Sequence, residues 1–148
     1  MSTIGFDTSN YTTSTAWTDG KTDINVRQIL YVKDGERGIR QSDGVFQHMK
    51  LMPVMYEKLS EQIDFKDVKA VGVSTRPRCV EGSYMPVFLA GEGYAKVVAN
   101  TLGVPLYEFS HQDGHIMAGI YSSGSFELLE NDFISVHLSG GTTEILKS

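Results

Sequence analysis

The sequence is poor in cysteine, with Cys79 as the single one among 148 residues. One thiol cannot form an internal disulfide framework, and its scarcity fits a reducing compartment. Long hydrophobic runs are absent too: no apolar stretch approaches the roughly 18 residues that cross a bilayer, and the N-terminus has neither the basic start nor the apolar run of a secretion signal. We therefore expect a cytoplasmic protein with no membrane segment.

The sequence also contains fewer basic than acidic residues. The chain has 13 Lys and Arg against 18 Asp and Glu, a net charge of −5. Unaided nucleic-acid binding depends on clustered cations that release counterions, so a nucleic-acid substrate would require a basic partner or a local basic patch. The GxxxxGK[ST] pattern of a P-loop is missing, which excludes that class of nucleotide-binding site.

The 148 residues, of which 41% are hydrophobic, suffice for the core of one ordinary domain, or of one domain and the start of another. Alternation and helical spacing of apolar residues predict a βββ-α-β-α-β-α order followed by a hairpin. That order favours an α/β fold in which helices cover a mixed sheet, of the ribonuclease H-like kind. We expect one lobe over residues 1–131 and the beginning of a second, truncated lobe over 132–148. The predicted strands are 3–7, 12–18, 24–33, 68–74 and 104–109, and the predicted hairpin covers 132–146. The first predicted helix, 45–63, should kink or restart at Pro53, and the second, 85–102, should be closed by Gly103. A third predicted helix begins at His111.

The stretch SHQDGHIMAG, residues 110–119, places two histidines one helical turn apart. Ser110 and Asp113 are spaced as a capping box, which predicts a helix that begins at His111. On such a helix, His111 and His115 share a face and could bind zinc or iron together. A metal site needs a third ligand, and none is evident from spacing. The alternative is that both are simply polar positions near a helix start.

Two segments, GFDTSNYTTS and LSGGTTEI, have a strand, a turn of small hydroxyl and glycine residues, and a second strand. Such turns can bring amides and hydroxyls to an anion, and Asp7 could face a hydrated divalent cation; ordinary hairpins are the alternative. Between them, Arg76 and Arg78 lie on a loop that leads into a helix N-terminus, which suits phosphate or carboxylate recognition unless both pair with surface acids. We interpret Cys79 as incidental, and His48 and His137 as structural.

Taken together, IGFDTSNYTTSTAW, GVSTRPRCVEGSYMPVFLAG, PLYEFSHQDGHIMAG and VHLSGGTTEIL resemble, in the same order, landmark segments of the glycoprotease-like family. Members were formerly described as O-sialoglycoprotein endopeptidases and are associated with threonylcarbamoyl transfer to tRNA adenosine. The resemblance spans essentially the whole chain and implies the N-terminal half of such a protein. It also implies the actin-like, sugar-kinase and Hsp70-type ATPase superfamily, in which two ribonuclease H-like lobes face a nucleotide cleft.

The resemblance implies roles for particular positions, although it assigns no catalytic residue here. The third metal ligand of the family, an aspartate, belongs to its C-terminal half. ATP or an acyl-adenylate, with magnesium, is implied for the full-length protein, and tRNA only through that protein or its partners. The implied metal ligands, for iron or zinc, are His111 and His115; the implied nucleotide- or phosphate-binding residues are Asp7, Thr8, Ser9, Ser139, Gly140 and Gly141.

Several segments depart from the better-known tRNA-modifying members. TRPR replaces a small glycine-rich loop, Ser110 stands where asparagine is common, and SGGTTE replaces an SGGHT-type turn. We therefore expect a divergent branch of the family and a metal-dependent threonylcarbamoyl-transferase-like protein that is inactive as this chain alone. The alternatives are a glycoprotease-type metallopeptidase homologue, which the glutamine at position 112 disfavours because HExxH enzymes have a glutamate base there, and a non-catalytic scaffold. A homodimer or a family partner protein is the expected assembly.

Overall fold

A computed structural model describes residues 1–36, 38–138 and 143–147, with Thr143 described by its backbone alone. Two compact units divide the chain, Met1–His111 and Gln112–Ser148. The lobe boundary predicted between residues 131 and 132 stays a prediction. In the first unit the elements are β1 (Ser2–Asp7), β2 (Thr12–Thr18), β3 (Asp23–Ile29), α1 (Gln41–Ser60), β4 (Val68–Arg76), α2 (Phe88–Leu102) and β5 (Leu106–Ser110); α3 (His111–Ser123) follows, and then β6 (Ile134–Leu138) and β7 (Thr143–Lys147).

The first unit contains a five-stranded sheet in the order β3-β2-β1-β4-β5. The first three strands form an antiparallel meander, whereas β1 pairs with β4, and β4 with β5, in parallel. Parallel neighbours need a crossover, and α1 and α2 supply the two crossovers. The predicted mixed sheet flanked by helices is confirmed. In the second unit β6 and β7 pair antiparallel, as the predicted hairpin requires.

The core of the first unit follows from strand alternation. Ile4 lies beside Val71 and Phe6 beside Val73 in the parallel ladder, so all four side chains share one face, and all are buried. The helices cover this face with apolar side chains, which include Met52 and Leu59 of α1 and Ala95 and Ala99 of α2. Each large side chain buried in this way contributes about 1.5–3 kcal/mol relative to exposure.

The sequence predicts a kink or a restart of the first helix at Pro53; the helix does not restart, and the kink stays a prediction. One helix, α1, runs from Gln41 to Ser60 with Pro53 inside it. Proline has no amide proton for the carbonyl four residues earlier, which here belongs to Met49. The Tyr94 hydroxyl of α2 donates a 2.9 Å hydrogen bond to that carbonyl. A tertiary contact therefore satisfies the backbone group that proline leaves without its helical partner.

One further boundary agrees with the prediction and another differs from it, each for a local reason. The helix α2 ends as predicted, because Gly103 adopts a left-handed conformation with φ of 66° and caps the last turn. The strand β3 ends at Ile29 instead of residue 33. Beyond it, the Gln47 side chain takes the place of a strand partner: its Oε1 accepts from the Tyr31 amide at 2.8 Å, and its Nε2 donates to the Tyr31 carbonyl at 3.0 Å.

Candidate functional site

The carboxyl ends of three parallel strands meet at one edge of the five-stranded sheet. Asp7 ends β1, Arg76 ends β4, and Ser110 ends β5 with His111 directly after it. Arg76 and Ser110 are register partners in the ladder. In α/β sheets, ligands bind in the crevice outside the carboxyl ends of the strands. This edge is therefore the candidate site within the first unit.

A hydrogen bond between Asp7 and His111 is the central feature of this edge. The Nδ1 atom of His111 lies 2.8 Å from Oδ2 of Asp7, although the two residues are 104 positions apart. The other carboxylate oxygen, Oδ1, accepts from the Ser9 amide at 2.8 Å in an Asx-type turn. Both oxygens of Asp7 thus have protein partners.

The same contacts set the ionisation of Asp7. Burial is the largest influence and raises the pKa, but the hydrogen bond and charge of His111, together with hydrogen bonds from Ser74 and the Ser9 amide, outweigh it and lower the pKa to about 2. Asp7 is therefore ionised at neutral pH. A carboxylate on one ring nitrogen fixes the tautomer and the orientation of an imidazole, as it does for histidines that bind metals.

Thr8 joins the end of β1 to the start of α2. Its side chain is fully buried, its hydroxyl donates to the Val87 carbonyl at 2.8 Å, and it accepts from the Gly91 amide at 3.0 Å. A Cβ atom on Gly91 would lie 2.8 Å from the Thr8 Oγ1. The hydroxyl thus anchors the Asp7–Ser9 turn to α2, and the predicted contact of Thr8 with a phosphate stays a prediction. Sequence reasoning missed Gly91; the small residues in FLAGEG were the available signal.

His48 supports the same turn from the core. Its ring is fully buried, and its Nδ1 lies 2.8 Å from Oγ1 of Thr13 on β2. Desolvation lowers its pKa to about 4, against the charge of Asp7 and a backbone hydrogen bond with Ser9, which both raise it. A buried neutral imidazole with a hydroxyl partner fits the structural role expected from the sequence.

His115 lies in the second unit, on α3, which begins at His111 as predicted. Its ring stacks on His137 of β6, with ring centroids 5.2 Å apart and planes at 27°. Glu144 of β7 accepts a hydrogen bond of 2.6 Å from the Gln112 side chain, and its Oε2 lies 3.9 Å from Nδ1 of His137. The two histidines border a cavity of about 300 Å³ within this unit, next to apolar residues such as Ile116 and Val136.

Three further residues were predicted to belong to the site. Ser139, Gly140 and Gly141 lie outside the described residues. Within the described ranges, no three His, Cys, Asp or Glu side chains gather into a group that could enclose a metal ion. The same part of the chain contains no helix long and apolar enough to cross a bilayer.

The fold is found in solved structures. YeaZ from Pseudomonas aeruginosa matches with a TM-score of 0.57 over 99% of this chain and 64% of that chain, at 12% identity. A structure described as an uncharacterized protein with similarity to peptidase YEAZ, from the same organism, matches equally. At this identity the likeness establishes the fold, the actin-like ATPase type.

The family follows from sequence. Residues 35–148 match the family model for TsaD, tRNA N6-adenosine threonylcarbamoyltransferase, and the chain belongs to this family. A relative of that name from Christiangramia forsetii is 33% identical over 98 residues, 66% of this chain and 27% of the relative. One from Pyrobaculum calidifontis is 28% identical over 144 residues, 96% of this chain and 40% of the relative. The chain thus spans well under half the length of these relatives.

Proposed function

We propose that this chain supplies the histidine-bearing part of a metal-dependent threonylcarbamoyl transferase that modifies adenosine in tRNA. The relatives with this name support the reaction class. The hydrogen bond between Asp7 and His111 is the observation that carries the proposal, because it is the carboxylate–imidazole pairing that accompanies metal-binding histidines. We place the protein in the cytoplasm.

His111 and His115 are the residues that would hold iron or zinc. With Nδ1 of His111 directed at Asp7, a metal would be coordinated through Nε2, and the carboxylate would hold the ring in orientation. The third ligand would be the aspartate that the family carries in its C-terminal half. A metal bound here supplies Lewis acidity and a template for the acyl group.

The turn after β1 would contribute to phosphate recognition through Ser9. Asp7 is better suited to orient His111 than to bind a cation directly, since both of its oxygens have protein partners. Ser139, Gly140 and Gly141 would approach the phosphate of ATP or an acyl-adenylate, with magnesium. The net charge of −5 favours tRNA binding through partners or the full-length protein. A homodimer or a complex with a family partner protein is the proposed assembly.

Metal content tests the proposal. The chain is purified without chelators and titrated with Zn²⁺, and so are three variants. His111→Ala/His115→Ala should abolish stoichiometric binding, and Asp7→Asn should weaken it about 10- to 100-fold through loss of the orienting carboxylate. Asp113→Asn, a carboxylate change on the same helix, is the matched control and should bind as the unmodified chain does. Equal metal content in the unmodified chain and the double variant would refute the proposal.

The two alternatives make different predictions. A glycoprotease-type metallopeptidase needs a general base, and position 112 holds a glutamine whose amide donates to Glu144. A non-catalytic scaffold would form a stable dimer without nucleotide affinity. Sedimentation measures the oligomeric state and calorimetric titration with ATP measures the nucleotide affinity; ATP binding by a monomer contradicts the scaffold and supports the transferase.

A further inference from the structure

Arg76 lies at the centre of the sheet edge that forms the candidate site. It is the last residue of β4, the strand between β1, which ends in Asp7, and β5, which leads to His111. The side chain is partly buried. The metal and phosphate roles described above make no use of it.

The guanidinium of Arg76 contacts a hydroxyl oxygen and a sulfur atom. Its Nη1 lies 3.4 Å from Oγ1 of Thr75, and its Nη2 lies 3.8 Å from Sγ of Cys79. No carboxylate of the described chain forms an ion pair with it. Arginine presents five donors in a rigid fork that matches carboxylate or phosphate oxygens, and a partly buried cation is stabilised by such a partner. The fork is therefore available to an external oxyanion.

The loop that follows Arg76 has a defined conformation. The Arg78 amide donates to Oγ of Ser83 at 3.0 Å, and the Ser83 amide donates to the Val80 carbonyl at 3.1 Å. Gly82, with φ of 75°, provides the left-handed residue of this turn. Cys79 of this loop is the residue that Nη2 of Arg76 contacts, at 3.8 Å. A loop that is ordered before a ligand arrives lowers the entropic cost of binding.

We propose that Arg76 binds an oxyanion of the substrate, a phosphate or a carboxylate, and thereby selects for an acidic substrate at this edge of the sheet. The inference rests on the proposed function for the identity of the substrate, because threonylcarbamoyl-adenylate carries both groups. Anion binding itself requires neither metal nor acyl transfer. Arg76 acts in recognition through a pair of parallel hydrogen bonds.

Direct titration tests the inference. The chain is titrated at constant ionic strength with inorganic phosphate and, separately, with N-carbamoyl-L-threonine, and binding is followed by calorimetry. Arg76→Met should weaken binding of the recognised anion by about tenfold or more, as expected for a lost charge-assisted hydrogen bond. Arg76→Lys, which keeps the charge without the fork, should fall between. Arg27→Met, which removes an exposed cation from the edge strand β3, is the matched control and should leave binding unchanged.

The pattern of results assigns the anion. A loss confined to phosphate identifies the phosphate of the substrate, and a loss confined to N-carbamoyl-L-threonine identifies its carboxylate. Equal affinity of the unmodified chain and Arg76→Met for both anions would overturn the inference, as would failure of the unmodified chain to bind either. If Arg76→Met unfolds, Arg76→Lys replaces it in the test: weaker anion binding than that of the unmodified chain supports the inference, and equal binding overturns it. Zn²⁺ titration of the same samples tests the proposed function separately. If the unmodified chain binds no Zn²⁺, the proposed function fails, whereas binding of phosphate or N-carbamoyl-L-threonine is unaffected.

Discussion

The contact between Thr8 and Gly91 makes a sharp prediction about two neighbouring glycines of α2. Replacing a helical glycine by alanine ordinarily stabilises a helix by about 0.5–1 kcal/mol. A Cβ atom on Gly93 meets nothing within 4 Å, whereas one on Gly91 would lie 2.8 Å from Oγ1 and 3.3 Å from Cγ2 of Thr8. The same substitution, two residues apart, should therefore have opposite effects on the free energy of unfolding.

The magnitude follows from how Thr8 is held. Its side chain is fully buried and its hydroxyl has partners on both sides, so it cannot move away without breaking a hydrogen bond. Overpacking of a core site costs about 1–3 kcal/mol, and a lost buried hydrogen bond costs about 1 kcal/mol more. After the gain in helix propensity, Gly91→Ala should destabilise the first unit by about 1–3 kcal/mol. Gly93→Ala should stabilise it by about 0.5–1 kcal/mol.

Urea unfolding followed by fluorescence measures this difference. Trp17, the single tryptophan, lies on β2 and reports on the first unit. The double variant Thr8→Ala/Gly91→Ala is a further control: with the Thr8 side chain shortened, adding the methyl group at position 91 should no longer destabilise relative to Thr8→Ala alone. If Gly91→Ala proves as stable as Gly93→Ala, the reasoning about the close approach of β1 and α2 is refuted.

Three further predictions concern two titratable side chains and one tertiary hydrogen bond. Folding lowers the pKa of His48 to about 4, so the unfolded chain binds a proton first as the pH falls. The free energy of unfolding should therefore decrease by roughly 3 kcal/mol between about pH 6.5 and 4. In urea titrations, His48→Gln should flatten this pH dependence, and an unchanged pH dependence would contradict the prediction. The lowered pKa of Asp7 contributes about 2 kcal/mol of stability, which is present above about pH 4 and is lost as the pH falls towards 2. In acid titrations followed by circular dichroism, the unmodified chain should lose more stability over this range than Asp7→Asn. Parallel titration curves would contradict this prediction. Tyr94→Phe should cost about 1 kcal/mol in urea unfolding, and much less after Pro53→Ala restores a backbone donor to Met49; equal costs in both backgrounds would show that the hydroxyl does not compensate for the proline.

The candidate site illustrates how far local patterns reach. His111 is predictable as a helix start and as one of a histidine pair, and Asp7 as a polar residue at the end of a strand. Their mutual contact is not predictable from spacing, because it joins the ends of β1 and β5, which lie on either side of β4 in the sheet. Assignment of Asp7 as an orienting carboxylate therefore depends on the fold.

The sequence by itself determined which segments are strands and helices, where α2 ends at Gly103, where α3 begins, and which family the chain resembles, because alternation, helical spacing, caps and motifs are properties of neighbouring residues. The tertiary structure alone decided that Asp7 holds His111, that Thr8 meets Gly91, and that Tyr94 compensates for Pro53. Each of these contacts joins side chains or backbone groups far apart in the chain. Their partners are chosen by strand order and helix packing, and a local pattern carries no information about either.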